Sequence, residues 1–318
     1  MEFYSNGKLL LTGEYLVLDG AKALALPTKF GQNLIVEKIV EPQLIWGSFT
    51  NTGECWFEAV FDLPKLRLVS ATFNSDKEGS ADFIAETLLE ILEEARNLNP
   101  DFLNVDGGYI VKTKLTFPRN WGLGSSSTLI NSIASWAKVD AFKLLWNSFK
   151  GSGYDIACAQ NNTAVFYQIK DKNPIIEQVN FNPIFKENLF FVFLNKKQDS
   201  KEGIAKFRES KKDFSVELKR ISELSEAFLV AESLQDFEKL IIEHEQIISS
   251  IIKIKPVKEK LFSDYFGEIK SLGAWGGDFV MITGNEKTPS YFKNKGFEIV
   301  ISYSEMIKPT LILPKGGN

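Results

Sequence analysis

Histidine is almost absent: in 318 residues there is one, His244. Ser-His-Asp and Cys-His nucleophilic chemistry and His-rich metal sites therefore have almost no material to work with. Within "IIEHEQII" this residue reads as an ordinary helix-surface side chain, the plainer assignment for a histidine without a partner motif. Cysteine is scarce too. Cys55 and Cys158 stand in unrelated contexts without metal-ligand spacing, so neither a disulfide scaffold nor a zinc site is indicated and a reducing compartment is expected. No stretch reaches the roughly 18 apolar residues of a membrane span, and the N-terminal segment MEFYSNGKLLLTGEYLVL is interrupted by Asn6, Lys8 and Glu14. A large charge of one sign is also missing. The 37 Lys and Arg against 41 Asp and Glu give a net charge of −4 without a long basic run, which argues against a nucleic-acid surface. These absences predict a soluble, cytoplasmic protein that acts on small molecules, with no nucleic-acid or membrane partner.

What is present is an ordinary globular composition, 44% hydrophobic and 25% charged, long enough for one large or two medium domains. The first 70 residues read as strands and turns, with Asp19-Gly20 as a hairpin signal. Residues 80–97 space their apolar side chains at three and four residues, the period of an amphipathic helix. GGYIVKTKLTF alternates as a strand, and STLINSIASWAKVDAFKLLW after it reads as one helical stretch. A helix-rich region spans 213–254 with a break near Ser233-Leu234, and NLFFVFLN, FVMIT and FEIVISYS read as later strands. No fixed-period repeat is visible. The pattern is α+β, expected as two domains, 1–165 and 166–318.

Three glycine clusters punctuate this pattern. In NWGLGSSSTLI, Gly122, Leu123, Gly124, Ser125, Ser126 and Ser127 fall between a strand and a helix. A helix start carries unpaired backbone N–H groups and a partial positive charge, so a glycine-lined approach lets a phosphate reach several donors. The plainer alternative is a glycine turn with Ser125 capping the helix, and the stretch alone does not decide between them. It is neither a Walker A loop, which needs a lysine after its last glycine, nor a dinucleotide fingerprint, which needs a third glycine where Ser127 stands.

Read together, the clusters resemble the GHMP kinases. Residues 118–127, PRNWGLGSSS, are similar to that superfamily's P-x-x-x-G-L-G-S-S motif. NGKLLLTGEY, residues 6–15, resembles the first motif, with Asn6 replacing the usual proline. KSLGAWGGD, residues 270–278, resembles the third, with Leu272 and Trp275 replacing small residues. Trp275 is expected to fill space beside the loop rather than to select a ligand. GSGYDIA, residues 151–157, is similar to the G-S-G-x-D-x-A of mevalonate and phosphomevalonate kinases.

The resemblance implies a two-domain α+β fold, with an N-terminal part like ribosomal protein S5 domain 2 and a C-terminal α/β ferredoxin-like part. It implies an ATP- and Mg²⁺-dependent kinase for a small-molecule acceptor, monomeric or homodimeric. By the same resemblance Asp155 is the expected base, with Lys8 beside it. ATP phosphates are expected along residues 122–127, with Gly273, Gly276 and Gly277 behind them and Ser126 as a metal ligand. Glu14, Tyr15, Lys197 and Ser200 are the expected acceptor contacts. Only Asp140 stands upstream where several relatives carry a metal-binding glutamate, so no further protein ligand is assigned. The missing glutamate and the Gly-Gly-Asp of the third motif lean towards phosphomevalonate, with mevalonate next, as acceptor in isoprenoid biosynthesis. Homoserine, a sugar, or ligand binding without phosphoryl transfer are the alternatives.

Overall fold

The computed structural model describes residues 1–74, 81–149, 151–196, 204, 207–208, 213–275 and 277–309. It divides the chain into two compact units that are interleaved in sequence. The first unit comprises Met1–Gly7, Phe30–Arg119 and Gly124–Gln160, and the second comprises Lys8–Lys29, Asn120–Leu123 and Asn161–Asn318. Strand β1 (Glu2–Leu10) pairs with the long strand β2 (Ala23–Ile39). The tight hairpin expected at Asp19-Gly20 does not form. Leu16–Asp19 instead makes a 3-10 turn, ended by Gly20 in the left-handed conformation (φ 94°). Leu16 and Val17 are buried, so this connection is drawn into the core and cannot serve as an exposed two-residue turn.

In the first unit, β3 (Gln43–Phe49), β4 (Cys55–Asp62) and β5 (Arg67–Phe73) form an antiparallel meander. Strand β6 (Gly108–Leu115) runs parallel to β3 and antiparallel to residues Gln32–Ile39 of β2. Helix α1 (Ala81–Leu98) buries Ala85, Leu88, Ile91, Leu92 and Ala95, the stripe that its three-and-four spacing predicts. The stretch expected as one helix after residue 125 is two, α2 (Ser125–Ala137) and α3 (Ala141–Ser148). Lys138 turns left-handed (φ 56°), and the Asp140 carboxylate accepts from the amides of Phe142 and Lys143 to start the second helix. Such a cap contributes about 1 kcal/mol, enough to favour a fresh start over a continuous helix. Helix α4 (Tyr154–Gln160) follows and packs on α2.

In the second unit, β7 (Ala164–Lys170) pairs with Ala23–Ala25 of β2 and with β8 (Asn173–Val179). A separate antiparallel sheet has the order β10-β11-β9-β12, from β9 (Leu189–Phe193), β10 (Ile269–Ser271), β11 (Phe279–Thr283) and β12 (Val300–Ser302). Its central strand β11 is buried at every position, which its continuous apolar run FVMIT requires. Helices α5 (Ser215–Val230) and α6 (Leu234–Ile252) pack together, and α6 also packs on β10. The break between them is where the sequence places it, with the Ser233 hydroxyl accepting from the Asp236 amide as the cap of α6. Short helices α7 (Val257–Leu261), α8 (Thr288–Asn294) and α9 (Tyr303–Met306) complete this unit.

Candidate active site

Within the second unit, parts of all three glycine motifs meet. Trp121 packs its ring edge-on against Phe279 of β11, with centroids 5.3 Å apart, and also against Phe193 of β9. This anchors the start of the second motif on the sheet. Gly122 follows with φ 68°, and a Cβ there would overlap the Asp278 carboxylate of the third motif, so only glycine fits. The Lys8 amide of the first motif donates to the Leu123 carbonyl at 3.0 Å. The Tyr15 hydroxyl donates to the Ala274 carbonyl at 2.9 Å, which ties the first motif to the third.

The rest of the second motif opens α2 in the first unit. Gly124 is the N-cap (φ 90°), and no side chain caps the helix there. Ser125 is the first helical residue and not the cap, so the capping role expected for it in the plainer reading does not hold, while the turn at Gly122 and Gly124 does. Ser126 is exposed, and Ser125 and Ser127 are half-buried. Thr128 fixes the first turn by donating to Gln32 Oε1 at 2.6 Å. An uncapped helix start with small residues and an exposed hydroxyl is a fitting environment for an anion. Also in the first unit, Gly153 (φ 91°) precedes α4 and puts half-buried Asp155 in its first turn.

Lys8 is half-buried on β1, and Gly273 and Gly277 lie between β10 and β11. Asp140 is committed to capping α3. Gly276, Lys197 and Ser200 fall outside the described residues. Among the described residues, no group of three or more His, Cys, Asp or Glu could hold a metal ion. The exposed Ser126 hydroxyl is an oxygen donor of the kind Mg²⁺ accepts, and that ion commonly keeps several waters.

The second unit also holds a buried ionic cluster that the sequence reading did not find. Glu14, His244 and Lys270 have no solvent exposure, and Glu245 is buried beside them. Lys270 Nζ lies 2.8 Å from Glu14 Oε1, 3.3 Å from Glu245 Oε1 and 2.8 Å from the Ser271 carbonyl. Glu245 also accepts from the Ser271 amide at 3.1 Å and from its hydroxyl at 2.8 Å. Burial pushes the Glu14 carboxyl up to about 7 against the opposing pull of Lys270. It raises Glu245 as well, and it holds His244 well below the usual imidazole range, with Lys270 adding to the effect.

His244 is thus not a helix-surface residue. Phe237, Ile241, His244, Ile248 and Ile251 are all buried on α6, and their spacing of four, three, four and three is the signal that would have placed the histidine on the core face. Glu14 and Tyr15 are buried as well, so neither presents a free side chain to solvent. Trp275 fills space as expected, buried in an apolar cluster with Tyr15, Leu16, Phe207, Leu224 and Ile248.

Sequence scans find no matching family model and no similar curated protein. Comparison of folds gives a different result. The architecture is that of the GHMP kinases. The chain is similar to Methanococcus jannaschii mevalonate kinase with a TM-score of 0.69 and 16% identity over 98% of each chain. It is similar to Streptococcus pneumoniae phosphomevalonate kinase in complex with phosphomevalonate and AMPPNP, with a TM-score of 0.67 and 14% identity over 95% of this chain and 99% of that one. Lactococcus lactis galactokinase complexed with galactose aligns with a TM-score of 0.62 and 13% identity over 96% and 94%. Among the described residues, no helix is long and apolar enough to cross a membrane.

Proposed function

We propose that this protein is an ATP-dependent kinase that transfers the γ-phosphoryl group to a small-molecule acceptor, with phosphomevalonate first and mevalonate second in line. The observation that carries the reading is the convergence of glycine motifs far apart in sequence, with Gly122 against Asp278, Leu123 bonded to Lys8 and Tyr15 bonded to Ala274. A structural glycine turn needs no such meeting, whereas a phosphate cradle needs small residues and free amides from several segments. The similar folds support the reaction class, and two of the relatives support the choice of acceptor. A boundary near residue 165 between N- and C-terminal domains is part of the same proposal.

When bound, ATP supplies the phosphoryl group and Mg²⁺ offsets its charge. The chain's own share is positioning and charge. Residues 122–127 hold phosphate oxygens through backbone amides and serine hydroxyls, and Ser126 contributes a metal ligand. Gly273, Gly276 and Gly277 of the third motif are the further glycines assigned to the phosphates. Asp155 is the proposed base that orients the acceptor hydroxyl and takes its proton, and Lys8 is the proposed cation that offsets phosphoryl charge. Lys197 and Ser200 remain candidate acceptor contacts. Buried as they are, Glu14 and Tyr15 support the loops and do not contact the acceptor.

The test is ADP release by the purified protein with ATP and Mg²⁺ against phosphomevalonate, mevalonate, homoserine and galactose, with Asp155→Asn in parallel. Turnover on phosphomevalonate or mevalonate that falls by about 100-fold or more in the variant is the expected result. Nucleotide binding without turnover on any of the four would replace this reading with a ligand-binding role.

A further inference from the structure

The buried cluster has one contact that its hydrogen bonding does not explain. Glu14 Oε2 lies 3.2 Å from His244 Nε2, yet it has no hydrogen-bond partner. The same Nε2 already accepts the Gly13 amide at 3.3 Å. A nitrogen that accepts a hydrogen bond carries a lone pair, so its ring is neutral with the proton on Nδ1. An ionised carboxylate also only accepts. Two acceptors facing each other in a fully buried site repel, and a proton between them makes the contact favourable.

Charge counting leads to the same place. The Glu14 and Glu245 carboxylates surround one ammonium, Lys270, whose three N–H donors meet Glu14, Glu245 and the Ser271 carbonyl. With a neutral imidazole the fully ionised cluster would bury one uncompensated negative charge, which costs several kcal/mol. One added proton makes it neutral. The groups that face Glu14 are Lys270 from β10 and His244 and Glu245 from α6, with the Tyr15 phenol next to it in the chain. Of these, Glu245 is fully engaged by Ser271 and Lys270, and Glu14 Oε2 is the carboxylate oxygen that lacks a donor; His244 Nδ1 is likewise buried without a partner.

We infer that Glu14 carries a proton directed from Oε2 at His244 Nε2, which shares its single lone pair between this proton and the long Gly13 amide contact, and that this proton locks the turn 12–15 to the loop 270–275, making His244 a positioning residue for both. The lock has a defined reach. Glu14 binds Lys270 at one end of the third motif, Tyr15 binds Ala274 near its middle, and Thr12 is held from the other side by the Ser225 hydroxyl at 2.6 Å. Loss of the proton restores the acceptor–acceptor repulsion and the net charge, so both loops loosen as pH rises. The upward push on the Glu14 carboxyl, to about 7, sets the range. That these loops serve phosphoryl transfer rests on the kinase reading; the lock itself does not.

Because His244 is the chain's single histidine, its imidazole nitrogens can be observed in the intact protein without ambiguity. Nitrogen-15 spectra of histidine-labelled protein from pH 5.5 to 8.5 should show the neutral Nδ1–H tautomer throughout, with a step in the Nε2 shift near pH 7 that disappears in Glu14→Gln. An Nε2–H tautomer, or protonation with an ordinary midpoint near 6.5, overturns the inference. Hydrogen exchange supplies the loop readout. One pH unit above the Glu14 midpoint leaves about a tenfold excess of the ionised form, so exchange in 12–15 and 270–275, corrected for intrinsic rates, should rise about tenfold between pH 6 and 8 in the native protein. Glu14→Gln should show no such rise, and equal rises in both proteins overturn the lock. Should the variant fail to fold, the native spectrum alone decides. Neither measurement needs turnover, so an inactive protein with the Nδ1–H spectrum would refute the kinase reading and leave the proton in place.

Discussion

Two glutamates on one helix show what solvent does to a charge. Glu243 and Glu245 are two residues apart on α6. Glu243 faces water, pairs with Arg220 and is held below the ordinary carboxylate range chiefly by that hydrogen bond. Glu245 faces the core and is raised, because burial outweighs the pull of Lys270 and the two bonds from Ser271. Outside, a partner only has to be near. Inside, every donor must be supplied before the charge is tolerated, which is why Glu245 takes both donors of Ser271 and shares Lys270 with Glu14.

The largest effect that would sharpen this contrast is at Lys270. Lys270→Met leaves Glu14 and Glu245 buried without a cation and should cost about 3–5 kcal/mol in denaturant unfolding. Adding Glu245→Gln should recover part of that loss; no recovery would mean that the lysine matters for packing and not for charge. Next comes Gly122→Ala. It combines a left-handed backbone with overlap on Asp278, and it should lower stability by about 1–3 kcal/mol while weakening MgATP binding.

The pH dependence is smaller and has a definite sign. Glu14, raised from 4.5 to about 7, keeps its proton in the folded chain after the unfolded chain has lost it. Its contribution is present in full below pH 4.5 and is lost as pH rises through about 7. His244, lowered from 6.5, stays neutral in the fold while the unfolded chain protonates, so its contribution is lost as pH falls below 6.5. The two slopes offset each other between 4.5 and 6.5. His244→Gln removes the second slope, and stability should then fall steadily from about pH 4.5 to 7, by at most about 1.4 kcal/mol per pH unit from Glu14, with the raised Glu245 adding a slope of the same sign. A profile parallel to that of the native protein would place the histidine outside the proton balance. The smallest effect belongs to the outer pair: Arg220→Ala should change stability by less than about 1 kcal/mol, and salt should remove most of that.

The same contrast separates what was legible in the sequence from what was not. Local patterns came through because local geometry decides them: the stripe of α1, the glycine-to-helix junction at Ser125 and the Ser233 cap of α6. The division of α2 from α3 was missed although Asp140 is a cap by its chemistry, since apolar residues on both sides mask the break. The ionic cluster was missed for a different reason. Glu14 and Lys270 are 256 residues apart, and only folding puts them 2.8 Å from each other. His244 lay between. Its spacing was readable, but its partners were not, and a histidine without visible partners reads as surface.

The most direct test of the central claim, that the glycine motifs form a nucleotide site, is to locate MgATP binding by hydrogen exchange on the intact protein. The account predicts saturable protection of residues 122–128 and of 270–275 on adding MgATP. Binding that protects neither segment, or no binding at all, would contradict it.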